Sequence, residues 1–264
     1  MKNNYHTHTT RCNHAVGSEE EYVEKAIESN FSTLGFSDHC PLPDINDARI
    51  AIMRMAESEI DSYVYAIETL KKKYEGKINI LLGLECEYFP SKMEWLKKIV
   101  KTFNIQYLIL GAHYIEYKDG TFSNYMGSKC TKEEIIDYQN NCIEAMETGL
   151  FLYLAHPDLF VKGYGKWDDL AIKVSENICQ RAKQLNIPLG YNLNGFNNFY
   201  NKRVYSYPYN QFWEIASKYQ CDVLIEYDAH NPLLLSRDDL YQQAERILSK
   251  MGCNIINELK IWQE

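Results

Sequence analysis

The sequence predicts an α/β fold in which seven parallel strands, each followed by a helix, form a closed or nearly closed barrel. Segments with strand character alternate seven times with helical patterns, which is typical of parallel strands joined by right-handed crossovers. The strands are continuous apolar runs, as expected when helices cover both faces of a sheet. Polar residues follow the strand ends, and in an open sheet the outer strands would hold these groups too far apart to meet.

Length and composition are consistent with a single domain. The chain has 264 residues, of which 45% are hydrophobic and 24% charged, and α/β barrels of this length are common as one domain. Two small domains remain an alternative. The formal net charge of −8 argues against a nucleic-acid partner or an anionic membrane surface, which require clustered Lys and Arg.

The eight cysteines are far apart and form no CxxC pair, so their pattern indicates neither a zinc knuckle nor a disulfide framework. The first residues lack the apolar core of a signal peptide, and the longest apolar runs are too short to span a bilayer. We therefore expect reduced thiols, a cytoplasmic location and no membrane partner.

The elements of the first half begin with an extended segment, Tyr5 to His8. Ser18 and Glu21 then have the spacing of a capping box, which predicts a helix that ends near Ser29. The remaining predicted elements of this half are a strand at 33–37, a helix at 50–74, a strand at 78–87, a helix at 91–103 and a strand at 106–111.

The second half continues the same alternation, and Thr131 with Glu134 forms a second capping-box pattern. The predicted elements are a helix at 131–148, a strand at 151–155, a helix at 168–185, a strand at 188–193, a helix at 209–219, a strand at 222–227 and a closing helix at 237–251.

Every histidine of the chain lies at the end of a predicted strand or just beyond it. A single such histidine is more often a solvated or hydrogen-bonded side chain than a metal ligand. Chance alone, however, would rarely place all seven histidines at one rim. Two acids, Glu85 and Asp228, share this level. Imidazole and carboxylate groups are good ligands for zinc, iron and manganese. The histidines are His6, His8 and His14 after the first strand, His39 after the second, His113 after the fourth, His156 after the fifth and His230 after the seventh.

Residues close to this set have simpler interpretations. Glu87 is expected to support a ligand, and Cys12 and Cys86 to fill space. The many tyrosines indicate packing around the rim.

The order and spacing of these motifs resemble the polymerase and histidinol phosphatase (PHP) superfamily. The resemblance extends from residue 6 to residue 230 and implies a distorted (β/α)7 TIM-like barrel as a single domain, 1–264, with its metal site at the carboxyl rim of the strands. It implies two to three divalent ions (Zn, Mn or Fe). The motifs are His6-Thr-His8, His14, Ser37-Asp38-His39, Gly83-Leu-Glu85, His113, His156-Pro-Asp158 and Asp228-Ala-His230.

The resemblance also implies how the ligands are shared among the ions. Glu85 would bridge the first and second ions. In full, the first ion would be held by His6, His8, Glu85 and Asp228, the second by His113, His156 and Glu85, and the third by His14, His39 and His230.

Within this superfamily the chain looks most like the histidinol-phosphate phosphatases, because of its length, the insertion after His39 and the segment Asn192-Leu-Asn194-Gly195. Such relatives often carry a glutamate at the position where this chain has Gly190, so the role of that glutamate is in doubt. The resemblance implies hydrolysis of a small phosphomonoester, L-histidinol phosphate, in histidine biosynthesis. The alternatives are a PHP-type phosphodiesterase or nuclease, a protein-tyrosine phosphatase, and a non-catalytic metal-stabilised module.

Three divalent ions and two ligating carboxylates sum to about +4, which suits a phosphate dianion. We expect a hydroxide that bridges two ions to attack phosphorus. Asp38, Asp158 or a metal-bound water would protonate the leaving group, although both aspartates are equally expected to orient ligand imidazoles.

Binding of the rest of the substrate is harder to assign from the sequence. Arg203, with Lys202, could clamp a phosphate oxygen, although solvated loop charges are the commoner interpretation. Glu116 could face the cationic part of histidinol phosphate. The sequence leaves the oligomeric state open.

Overall fold

Eight parallel strands form one sheet in sequential order, in a computed structural model that describes residues 2–202 and 207–262, the side chains of 199–202 excepted. The α/β barrel expected from the sequence is confirmed, with one strand more than the seven predicted. The strands are β1 Lys2–Asn4, β2 Phe31–Phe36, β3 Asn79–Cys86, β4 Tyr107–Leu110, β5 Tyr153–Leu154, β6 Leu189–Asn192, β7 Asp222–Glu226 and β8 Asn254–Ile256.

Ten α-helices lie among the described residues. Both predicted capping boxes are present, Ser18 with Glu21 and Thr131 with Glu134. No helix in the described ranges is long and apolar enough to cross a membrane. The helices are α1 Glu19–Glu28, α2 Ala48–Ala51, α3 Ile60–Lys73, α4 Met93–Thr102, α5 Lys132–Glu147, α6 Leu159–Tyr164, α7 Asp169–Leu185, α8 Leu193–Lys202, α9 Asn210–Lys218 and α10 Asp238–Met251.

The barrel closes differently at its two ends. At the carboxyl rim, Thr7 and Ala229 form a parallel bridge, in which the His8 N–H donates to Ala229 O at 3.0 Å. At the opposite end β8 pairs with β7, and the Asn3 amide donates to Asn257 O at 2.8 Å. The rim therefore joins the first strand directly to the seventh, which brings the histidines after β1 beside the residues after β7.

The interior of the barrel is filled by a buried cluster centred on Tyr107, which includes Tyr5, Ile109 and Tyr153. The Tyr107 hydroxyl donates to Tyr5 O at 2.8 Å. A Cβ atom on Gly83 would lie 2.3 Å from the Tyr107 ring, so this strand position must be glycine. This cluster separates the polar residues at the carboxyl rim from the opposite end of the barrel.

The predicted helix 50–74 is wrong in its first half, where a short α2 and a 3-10 turn at Glu57–Glu59 precede α3. The side chain of Arg54 is buried, and it donates to Ile50 O at 2.8 Å and to Cys40 O at 3.1 Å. The first bond uses a backbone carbonyl that a continuous helix would use, and the second ties Arg54 to the loop after β2. The sequence prediction also missed α6, α8 and the three-residue β8.

Candidate metal centre

The extended segment after β1 presents two imidazoles to the barrel axis. His6 and His8 are fully buried, and the backbone of Thr7 between them pairs with Ala229. Alternation along an extended chain points the two imidazoles to the same face. The Asn4 amide donates to His6 O at 2.9 Å and to Thr7 Oγ1 at 2.8 Å. This local bonding fixes the direction of both histidines.

Four candidate ligand atoms lie close together at this point. His6 Nε2 and His8 Nε2 are 3.0 Å apart. Glu85 Oε2 lies 3.3 and 3.2 Å from them, and Asp228 Oδ1 lies 3.4 and 3.3 Å from them. Ligand bonds of about 2.05 Å in a tetrahedral site separate the ligand atoms by about 3.3 Å. The residues therefore fit a divalent ion.

Glu85 reaches two ligand groups from the end of β3. Its Oε2 faces His6 and His8, while its Oε1 lies 3.1 Å from His156 Nε2 and 3.6 Å from His113 Nε2. The buried Oε2 atom has no hydrogen-bond partner, which is costly for an ionised group unless a cation compensates it. This arrangement agrees with the bridging position that the family resemblance implies.

The backbone at two strand ends is unusual. His156 and Asp228 adopt φ angles of 32° and 47°, a left-handed region that residues other than glycine rarely occupy. Such conformations persist where the surrounding structure fixes them, and they cluster at functional sites. Here they aim both side chains into the rim.

A third group lies nearer the surface. His14 Nδ1 donates to Cys12 O and His230 Nδ1 donates to Asp228 O, at 2.6 and 3.0 Å. The two Nε2 atoms then face each other at 2.9 Å, a distance that requires a proton or a metal ion between them. The ring centroid of His39 is 5.4 Å from that of His14. His39 also faces the first group, with its Nδ1 atom 3.0 Å from Glu85 Oε2, so a third ion shared by His14, His39 and His230 stays a prediction.

Cys12 joins this group, although its sequence interpretation was only that of a filler. Its sulfur and the ring nitrogens of His14 and His230 all lie within 4.8 Å of one another. The spacing between Cys12 and His14, which places both on one short 3-10 turn and its exit, is the signal that could have revealed it.

Two buried glutamates hold ligand imidazoles by Nδ1. His113 donates to Glu87 Oε1 at 2.9 Å, as expected for Glu87, and His6 donates to Glu226 Oε2 at 2.8 Å. Such bonds fix the tautomer and leave Nε2 free for a metal. Glu226, which is the last residue of β7 and lies two residues before Asp228, was missed.

The charges of the centre depend on one another. Burial by itself lowers the pKa of His6, but the carboxylates of Glu85, Asp228 and Glu226 outweigh it and raise the pKa to about 10. Burial opposes ionisation of Glu85 and Asp228, yet the neighbouring imidazoles hold both pKa values well below their usual range. Protons on imidazole thus balance the carboxylates, and a metal ion must displace them.

Asp38 and Asp158 are fully buried. Asp38 accepts from the N–H and the hydroxyl of Thr9 at 2.9 and 2.8 Å, and Asp158 accepts from Trp213 Nε1 at 3.0 Å. Burial raises the pKa of both carboxyl groups to about 6. These bonds favour an anchoring role, and proton donation by either residue stays a prediction.

Of the predicted substrate-binding side chains, the structure describes that of Glu116 alone. Glu116 accepts from the N–H of Ser91 at 2.9 Å and from the Ser91 hydroxyl. Lys202 ends α8, and its side chain lies outside the described residues, as does the whole of Arg203. Their roles toward a substrate stay predictions.

Other side chains, not singled out from the sequence, complete the walls. Tyr125 stacks on His113 with 5.9 Å between ring centroids, and the Tyr207 ring is 5.7 Å from that of His156. From the Asn-Leu-Asn-Gly segment, Asn192 donates to Asp228 Oδ2 at 2.9 Å. The second oxygen of this ligand carboxylate is therefore held in place.

Comparison with known proteins agrees with this geometry. The sequence profile of the PHP domain matches residues 4–192. A protein of Deinococcus radiodurans named probable histidinol-phosphatase is 29% identical over 166 residues, 62% of each chain. The histidinol-phosphatase of Bacillus subtilis is 25% identical over 229 residues, which cover 78% of this chain and 85% of that protein.

A solved structure shares the fold along the whole chain. The crystal structure of the histidinol phosphate phosphatase of Lactococcus lactis, in complex with zinc, L-histidinol and phosphate, aligns with a TM-score of 0.71 at 16% identity and covers 99% of both chains. The profile match spans most of the chain and contains six of the seven rim histidines and Glu85. The chain belongs to the PHP domain family.

Proposed function

We propose that this protein is a metal-dependent phosphomonoesterase that hydrolyses L-histidinol phosphate to L-histidinol and phosphate. The observation that carries the metal-dependent part is the set of ligand atoms at the rim, where the Nε2 atoms of His6 and His8 lie 3.0 Å from each other and 3.2 to 3.4 Å from Glu85 Oε2 and Asp228 Oδ1. The choice of substrate is supported by the names of the relatives in Deinococcus and Bacillus.

Two to three divalent ions would be held in the three groups described above, and zinc, manganese and iron all suit imidazole and carboxylate ligands. Bound there, they would supply activation of water and neutralisation of the phosphate charge. Glu85 couples the first two groups through its two oxygens, while Asn192 fixes Asp228. The bound ions would thus supply local positive charge within a protein of net charge −8.

The rim also provides surroundings for the organic part of the substrate. Tyr125 and Tyr207 lie against the ligand histidines, and an aromatic face attracts a cation such as the substrate ammonium. A small ligand therefore suits this site better than a nucleic acid, which would require a basic surface.

We also propose a cytoplasmic location. All eight cysteines are free thiols, which is usual in reducing compartments.

The test is phosphate release from a panel of three substrates, with zinc, manganese and iron measured on the same sample. We expect L-histidinol phosphate to have the highest kcat/KM, above phosphotyrosine and a nitrophenyl phosphodiester. A preference for the diester would contradict the proposal and favour the phosphodiesterase alternative. Preference for phosphotyrosine would keep the metal chemistry and change the substrate.

A further inference from the structure

Glu226 is a fully buried carboxylate that contacts ligands of two different groups. Its Oε2 accepts from His6 Nδ1 at 2.8 Å, and its Oε1 accepts from the backbone N–H of His156 at 3.2 Å. One side chain thus orients the imidazole of His6 and holds the unusual backbone of His156.

The space for this carboxylate comes from a glycine on the neighbouring strand. A Cβ atom on Gly190 would lie 2.5 Å from Glu226 Oε1 and 2.6 Å from its Cδ. The φ angle of Gly190 is not in the left-handed range that favours glycine. The small residue on β6 is therefore explained by space, because any side chain there would collide with Glu226.

The charge of this carboxylate is balanced through a predicted metal ligand. The His156 N–H and the amide of Asn192, 3.5 Å away, are neutral, and the His6 imidazole is charged only when it is protonated. An ionised carboxylate is expensive to bury without a cation. A divalent ion on His6 Nε2 would replace that proton and still offset the charge of Glu226, whereas a purely structural role could be filled by an apolar residue.

We propose that Glu226 is a positioning residue for the metal centre, which fixes the tautomer and ring plane of His6 and couples it to His156, and that Gly190 is small in order to admit it. The inference rests on the metal-dependent part of the proposed function. A carboxylate on Nδ1 also makes the Nε2 atom a stronger metal ligand. A glutamate at position 190 would place its carboxylate in the same space from the neighbouring strand β6.

The first test compares zinc affinity in Glu226→Gln and wild type by chelator competition, without substrate. Gln can place its oxygen toward His6, but its amide then faces the His156 N–H, donor against donor. We expect zinc affinity about 10- to 100-fold weaker, with kcat reduced and KM nearly unchanged. The control is Asp222→Asn, the same change at the other end of β7, where the carboxylate accepts from Asn254.

The second test is the exchange of the two side chains. Glu226→Gly and Gly190→Glu should each weaken zinc binding, the first by loss of the carboxylate and the second by collision. The double variant should bind zinc at least tenfold more tightly than Glu226→Gly. A Glu226→Gln protein with zinc affinity and kcat within twofold of wild type would overturn the proposal, as would a folded double variant no better than Glu226→Gly. Because zinc affinity is measured without substrate, failure of the substrate assignment would leave this result unaffected.

Discussion

Replacement of Glu85 by Gln should remove one ligand atom from one of the two main ligand groups. Glu85 Oε2 faces His6 and His8, and Oε1 faces His156. Gln retains one oxygen, so its amide nitrogen must face one of the two groups, which then loses a ligand atom. One of two ligating carboxylates is also lost, which removes charge that would hold the ions.

We expect bound zinc to fall by about one ion per chain. Loss of one ion removes several kcal/mol of transition-state stabilisation, and about 4 kcal/mol corresponds to a loss of about a thousandfold in kcat. The assay is zinc content after gel filtration, with phosphate release on the same sample. The control is Glu75→Gln, an exposed glutamate beyond α3. Full zinc content and activity in Glu85→Gln would refute the metal-centre interpretation.

Three further predictions follow from individual contacts. Asp158→Asn should lower the free energy of unfolding by about 2 kcal/mol, because an amide cannot accept equally from Trp213, while kcat changes less than threefold; a kcat loss of a hundredfold at unchanged stability would instead support proton donation. Gly83→Ala should destabilise the protein by about 1 to 3 kcal/mol in urea unfolding, because the added methyl collides with Tyr107; an unchanged midpoint would contradict the packing described. Anomalous diffraction from zinc-loaded crystals should show a peak among His6, His8, Glu85 and Asp228, and a peak elsewhere alone would disagree.

The site was more predictable from the sequence than the details of the fold. Ligand positions depend on where strands end, and an apolar run followed by a polar motif marks that point locally. The barrel then brings the ends together, so His6 and Asp228 meet although more than two hundred residues separate them in the sequence. The resemblance to the PHP superfamily supplied the sharing of ligands among ions.

What the sequence did not predict depends on contacts between distant segments. The predicted helix 50–74 is interrupted near Arg54, whose buried side chain donates to Ile50 O and, in a loop outside that range, to Cys40 O. The three-residue β8 is too short for a periodic pattern and is formed by pairing with β7. Glu226 appears ordinary in the sequence, and only the proximity of Gly190 and His6 reveals its position.

The most direct test of the central claim is phosphate release from L-histidinol phosphate before and after removal of the metal by a chelator. We predict that activity falls in proportion to the metal removed and returns when zinc, manganese or iron is added back. A sample shown to contain no metal that still hydrolyses L-histidinol phosphate at its original rate would contradict the account.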